Sequence, residues 1–229
     1  GFQKDWLILL PIMVAIIFSS LGFPVIHEMR HRLGRKRAGP QNWTLHSKIT
    51  LWGTAILLFV GFVTVLLVEW QNPATLGPMG IADKLLNSAF QSVTTRTTGF
   101  NALDTSALSD ETLAVTYVLM FIGGGSAGTA GGIKVTTFFI LGIVVWSEAK
   151  GEREAAMFGR SIGTPIERQA LTVVLLSLSL IALGTMTILS VTEHSLTDVL
   201  FETISAFATV GLSTGIPGQL PPLAELLLI

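Results

Sequence analysis

Two polar segments hold the residues whose types and spacing could do chemistry: Phe90-Gln-Ser-Val-Thr-Thr-Arg-Thr-Thr-Gly99 and Phe201-Glu-Thr-Ile-Ser-Ala-Phe-Ala-Thr-Val-Gly211. Each follows a long apolar span, and they end in Thr-Thr-Gly and Thr-Val-Gly. A membrane tolerates non-helical backbone at depth only where it lines a water-filled path or is buried in protein. A hydroxyl-rich dip closed by glycine therefore points to a wall of carbonyls facing an ion. A dehydrated monovalent cation needs several oxygens at short range in place of its water. Stacked peptide carbonyls supply them without a fixed negative charge that would hold the ion too tightly to release. Glycine lets a carbonyl turn inward at a backbone conformation that a side chain would penalise.

The elements that must position these segments belong to a membrane. Half of the 229 residues are hydrophobic and 13% are charged, and the mean hydropathy of +0.65 excludes an ordinary soluble domain. A formal net charge of −1 gives no reason to expect nucleic acid. The lack of cysteine excludes disulfide staples, thiolate metal sites and a cysteine nucleophile. No basic region precedes the first apolar stretch, so no cleaved signal peptide is expected. The run from Leu223 to Ile229 reads as the opening of a further helix, and the chain is expected to be a fragment of a longer subunit.

The first apolar stretch, Trp6 to Ile26, is long enough to cross a core of about 30 Å. Arg30, Arg32, Arg35, Lys36 and Arg37, with His27 and His31 among them, follow it and mark a cytoplasmic loop. A second span, Ile49 to Trp70, returns outward. Asp83 then stands where an N-cap would start a short helix through Val93, too short to cross, so it must be re-entrant and come back through Thr94 to Asn101 as extended backbone. The block from Thr112 to Trp146 exceeds one crossing, and its centre holds six glycines between Gly123 and Gly132. Each costs roughly 0.8–1.0 kcal/mol against Ala in a helix interior, which predicts two half-helices joined by an unwound, mobile stretch. Glu148 to Arg168 reads as a second cytoplasmic loop in which Thr164-Pro165 starts a helix. Leu171 to Val191 is the last full span, and Thr197 or Asp198 caps another short helix.

The order of span, short capped helix, glycine-ended dip and span begins twice, an internal repeat of one pore unit. The copies differ by one residue: Phe90 lies nine before Gly99 and Phe201 ten before Gly211. The negative C-terminal ends of both short helices would favour a cation. The expected fold is an all-α membrane protein of repeated helix–pore loop–helix units with re-entrant pore helices.

Ser92-Val-Thr-Thr-Arg-Thr-Thr-Gly-Phe-Asn101, Phe121-Ile-Gly-Gly-Gly-Ser-Ala-Gly-Thr-Ala-Gly-Gly-Ile-Lys-Val135 and Phe207-Ala-Thr-Val-Gly-Leu212 resemble the bacterial potassium-uptake subunits of the Ktr/Trk family, related to plant HKT transporters. The resemblance covers almost the whole chain. It implies four linked units around one pseudo-fourfold pore, with residues 1–40 ending a preceding unit, 41–150 forming a complete unit and 151–229 a partial one. It also implies that Thr97, Thr98 and Gly99, with Thr209, Val210 and Gly211, are two quadrants of a potassium filter. The stretch holding Gly123, Gly124, Gly125, Ser126, Gly128, Thr129, Gly131 and Gly132 would be the intramembrane gate. The resemblance further implies a multi-pass protein of the bacterial inner membrane, a homodimer of full-length subunits, and a cytosolic nucleotide-binding RCK-type ring docked near Arg30 to Arg37 and Glu148 to Arg168. Potassium is cargo, and no covalently bound cofactor is expected.

Arg96 lies inside the first segment, where a bare positive charge facing the ion would repel it. It is expected behind the filter, paired with Glu202 of the neighbouring pore helix and bracing the two quadrants, or else at the outer surface with Asp104 or water. Lys134 either steadies the closed gate or snorkels to the interface. Gly123-x-Gly125-x-x-Gly128 matches a dinucleotide fingerprint only formally, since no strand precedes it. Two rival functions remain. One is an intramembrane hydrolase using Ser126 with His194, or a carboxylate pair such as Glu193 and Asp198, and its geometry is poor. The other is a secondary carrier with discontinuous helices, which needs no pair of Thr-x-Gly turns after short capped helices.

Overall fold

The computed structural model describes residues 2–33, 43–151, 156–157, 160–221, 224–225 and 228. Arg35, Lys36 and Arg37 of the basic strip lie outside the described residues, as does most of the expected helix from Leu223 to Ile229. Eight α-helices are described. They are α1 Trp6–Leu21, α2 Phe23–Leu33, α3 Leu45–Val68, α4 Ile81–Thr94, α5 Asp110–Phe121, α6 Val135–Ala149, α7 Thr164–Val191 and α8 Leu196–Phe207. A two-stranded antiparallel ribbon, β1 Ala156–Met157 with β2 Arg160–Ser161, lies between α6 and α7.

Among the described residues two helices are long and apolar enough to cross a membrane: α3 with its 3-10 extension, Leu45–Gln71, and α7. The pair α1 and α2 makes a third crossing only as a broken one, because it bends by 98°. The continuous first span expected from Trp6 to Ile26 is therefore corrected. Gly22 ends α1 at φ +85°, a conformation that glycine adopts without the penalty of a side chain. Pro24 then occupies the first turn of α2, where its missing N–H costs nothing. The long block after Thr112 divides as composition predicts, into α5 and α6 of 12 and 15 residues, with Ile122 to Lys134 non-helical between them.

Both short helices form, but with other caps than expected. α4 starts after Gly80, leaving Asp83 in its first turn, where a carboxylate still complements the dipole. α8 starts after Ser195, whose hydroxyl oxygen accepts the Asp198 N–H at 3.1 Å. Ser195 also donates to the Asp198 carboxylate at 2.7 Å.

The core lies around the pore helices. Phe90 of α4 is 1% exposed and clusters with Leu9 and Leu86 against α1, while Phe201 of α8 is fully buried with Val65, Met120 and Val210. Tyr117 meets Phe201 edge to face at 5.8 Å, and Phe121 stacks on Phe207 at 6.3 Å, so α5 supports α8 as α1 supports α4. Each span also packs on its own pore helix through a glycine. Gly61 of α3 faces Ser92, whose hydroxyl donates to the Leu58 carbonyl at 2.7 Å, and Gly184 of α7 faces Thr203, the equivalent position of the second copy.

At the end of α3, Glu69 is buried and takes five hydrogen bonds. One carboxylate oxygen accepts from Ser109 N (3.0 Å), Ser109 Oγ (2.6 Å) and Thr112 Oγ1 (2.6 Å), the other from Asn72 Nδ2 (2.6 Å) and Thr75 Oγ1 (2.6 Å). This carboxylate fastens the segment after α3 to the start of α5.

Candidate functional site

The two dips are built alike. Four residues after each buried phenylalanine stands a hydroxyl, Thr94 or Ser205, that donates to the carbonyl just past the closing glycine. The Thr94 Oγ1 to Phe100 O distance is 2.8 Å, and that from Ser205 Oγ to Leu212 O is 2.6 Å. The extra residue of the second copy thus falls between Ser205 and Gly211, since Phe90–Thr94 and Phe201–Ser205 have the same spacing. α4 ends at Thr94 while α8 continues past Ser205 to Phe207. The later end of α8 absorbs the insertion.

The two bends meet. The Thr98 N–H donates to the Val210 carbonyl at 3.0 Å. A Cβ on Gly99 would lie 2.5 Å from the Gly211 carbonyl oxygen and 2.9 Å from its Cα, so only glycine permits this approach. Gly99 and Gly211 have φ of +64° and +81°, and Thr209 also adopts a left-handed conformation at +52°. The side chains of Thr97 and Val210 are buried, whereas Thr98, Thr209 and Gly211 are exposed. Val210 O retains a second lone pair beside its bond to Thr98.

The glycine loop leaves α5 and returns to the same point. Ile122 and Ile133 form a bridge. Gly123 N–H donates to Ile133 O (2.9 Å), Ile133 N–H to Phe121 O (3.0 Å) and Val135 N–H to Gly124 O (3.0 Å). The loop touches both bends: Gly131 N–H donates to Thr209 Oγ1 at 3.1 Å, and Arg96 Nη2 donates to Gly123 O at 2.8 Å. Lys134 folds back along the loop, its Nζ donating to Ala130 O at 2.7 Å.

The expected Arg96–Glu202 pair is not formed. Glu202 accepts instead from Ser213 Oγ (2.8 Å), Thr214 N (2.8 Å) and Thr214 Oγ1 (3.0 Å), in the segment that leaves the second bend. Those donors are neighbours in sequence and satisfy the carboxylate locally. Arg96 is 2% exposed, and its Nε and Nη1 have no hydrogen-bond partner. Ser126 and His194 are not joined by a hydrogen bond among the described residues, and Asp198 serves as a cap partner on α8. Sequence reasoning missed the roles of Glu69 and of Gly22, although Gly22-Phe-Pro24 is a recognisable helix breaker.

The family model described as cation transport protein, TrkH, matches residues 1–229. This chain belongs to that family. It is 38% identical over 229 residues to Ktr system potassium uptake protein B of Bacillus subtilis, covering 100% of this chain and 50% of the relative. It is 36% identical over 221 residues to Ktr system potassium uptake protein B of Vibrio alginolyticus, covering 96% and 48%. With potassium/sodium uptake protein NtpJ of Enterococcus hirae the identity is 37% over 234 residues, covering 99% and 50%. The chain spans about half the length of these curated relatives. Family membership and the apolar helices together make it a multi-pass membrane protein, and the hydrolase reading falls because these relatives are uptake proteins rather than enzymes.

Proposed function

We propose that this chain is part of a subunit that passes potassium inward, down its electrochemical gradient, through a carbonyl filter of which Thr97–Gly99 and Thr209–Gly211 are two quadrants. The observation that carries this reading is the meeting of the two glycine bends, each at the C-terminal end of a short pore helix and each touched by the glycine loop. Carbonyls replace the hydration shell, and the helix ends add negative potential where the ion pauses. The loop from Gly123 to Gly132, with Lys134 held against it, is the gate. Residues 1–40, 41–150 and 151–229 are the end of one pore unit, a complete unit and a partial unit. Two apposed bends favour this reading over a carrier with discontinuous helices, which needs none.

The full polypeptide sits in the bacterial inner membrane, works as a homodimer and takes instruction from a cytosolic nucleotide-binding RCK-type ring. The ring docks near α2 and the loop around β1 and β2. The ion is cargo, and no cofactor enters the cycle.

The test is uptake by the full natural polypeptide in cells lacking their own potassium uptake. Gly99→Ser and Gly211→Ser are each expected to lower discrimination of potassium over sodium by about tenfold, because a side chain is strained at both φ values and, at Gly99, also displaces the facing backbone of Gly211. Full discrimination by both variants at native membrane abundance would contradict the assignment.

A further inference from the structure

The apex of the glycine loop rests on the elbow between α1 and α2. Gly125 N–H donates to Ser20 O at 2.7 Å and Thr129 N–H to Ser19 O at 3.3 Å. The elbow returns a bond, from Phe23 N–H to Ala127 O at 3.3 Å. These carbonyls are free to accept because a helix ends here. The last four C=O groups of an α-helix have no partner within it. In a continuous helix Ser20 O would accept from residue 24, which is a proline without an N–H. Ser19 O would accept from Phe23, whose N–H has turned to the loop. Gly125 and Thr129 thus take the places that Pro24 and Phe23 leave vacant, across about a hundred residues of sequence.

The fit depends on side chains that are missing at two glycines. A Cβ on Gly22 would run into the Ser126 carbonyl oxygen, and one on Gly125 into the Leu21 carbonyl oxygen. Gly22 also holds φ +85°, so a side chain there is strained whatever the space.

We propose that the Ser19–Phe23 elbow is the seat that holds the glycine loop in its closed position, and that Gly22 is the positioning residue of the gate. It acts through the Ser126 carbonyl and touches no ion. This rests on the loop being the gate. Unseating the loop removes three hydrogen bonds at the elbow while leaving its bonds to Thr209 and Arg96, so it alters the rate of passage and not the choice of ion.

The experiment uses the full natural polypeptide and reads two quantities, the initial rate of potassium uptake per molecule in the membrane and the discrimination against sodium. Gly22→Ala is expected to raise the rate by about tenfold, within the range typical of coupled sites, with discrimination unchanged. An unchanged or lowered rate at native abundance overturns the proposal, as does a loss of discrimination in step with the rate. Where the added methyl keeps the polypeptide out of the membrane, Ser19→Cys with Thr129→Cys takes its place. This chain has no cysteine of its own, and any elsewhere in the polypeptide are first replaced. Bridging the two thiols with a short bis-maleimide pins loop to elbow and is expected to cut uptake by about tenfold. A bridged protein that transports at the unbridged rate overturns the seat, and so does failure of the thiols to bridge. The unsubstituted polypeptide must itself take up potassium. If it does not, the transport reading fails and the seat with it; if it does while the variants are indifferent, the seat alone is lost.

Discussion

Arg96 shows how a charge is kept near a cation path without obstructing it. Its guanidinium is buried, and its one hydrogen bond goes to a neutral carbonyl, Gly123 O, at 2.8 Å. A charged donor roughly doubles the strength of such a bond, so the first bend and the start of the glycine loop are tied as one piece. Glu202 is served by Ser213 and Thr214 and does the equivalent work within the second bend. Because the two side chains share no partner, stability changes for Arg96→Gln and Glu202→Gln are expected to add in the double variant to within about 0.5 kcal/mol. A double-mutant cycle in chemical denaturation measures this, and a coupling well above about 1 kcal/mol would restore the direct pair. Sequence offered Arg96 either a buried pair with Glu202 or a place at the outer surface with Asp104 or water. It could not name the partners, because a backbone carbonyl such as Gly123 O leaves no mark in the residue type.

At the scale of elements, the short helices and the break in the long apolar block were legible because length and glycine content decide them. Their ends were not. Asp83 and Thr197 or Asp198 look like caps, yet Gly80 and Ser195 occupy those places, since the exit of the preceding loop selects the first turn among several acceptable residues. The elbow at Gly22 was hidden for another reason. Apolar residues continue across it to Ile26, so hydropathy reads one span where backbone geometry makes two helices. The role of the buried Glu69 was hidden because nothing local announces its five donors from two segments. Those donors give a ranking. Glu69→Ala removes the acceptor of five hydrogen bonds, those of the buried Thr75 and Thr112 among them, and is expected to cost on the order of 3 kcal/mol or more, against about 1 kcal/mol for removing the α8 cap with Ser195→Ala. Thermal unfolding of the two variants in detergent checks the order, and equal losses would deny Glu69 its fastening role.

At the scale of the whole molecule, the long face of α7 presents Leu175, Leu176, Leu180, Leu183 and Met186 outward, as a helix bathed in lipid would, while the polar side chains gather around the bends and the loop. The repeat was visible in sequence from its hydroxyl-rich, glycine-ended dips. The family resemblance put the two dips in one filter, but their contacts were not legible, since nothing in either segment encodes that Thr98 N–H reaches Val210 O or that Gly131 N–H reaches Thr209. The account stands on what occupies the space those bends enclose in the full polypeptide. The most direct measurement is a high-resolution density map of that polypeptide in lipid, prepared in potassium. The expected result is cation density coordinated by carbonyls of Thr97 to Gly99 and of Thr209 to Gly211, weakened when sodium replaces potassium. A well-ordered map in which the two bends pack dry against each other or against helices, with no ion between their carbonyls, would contradict it.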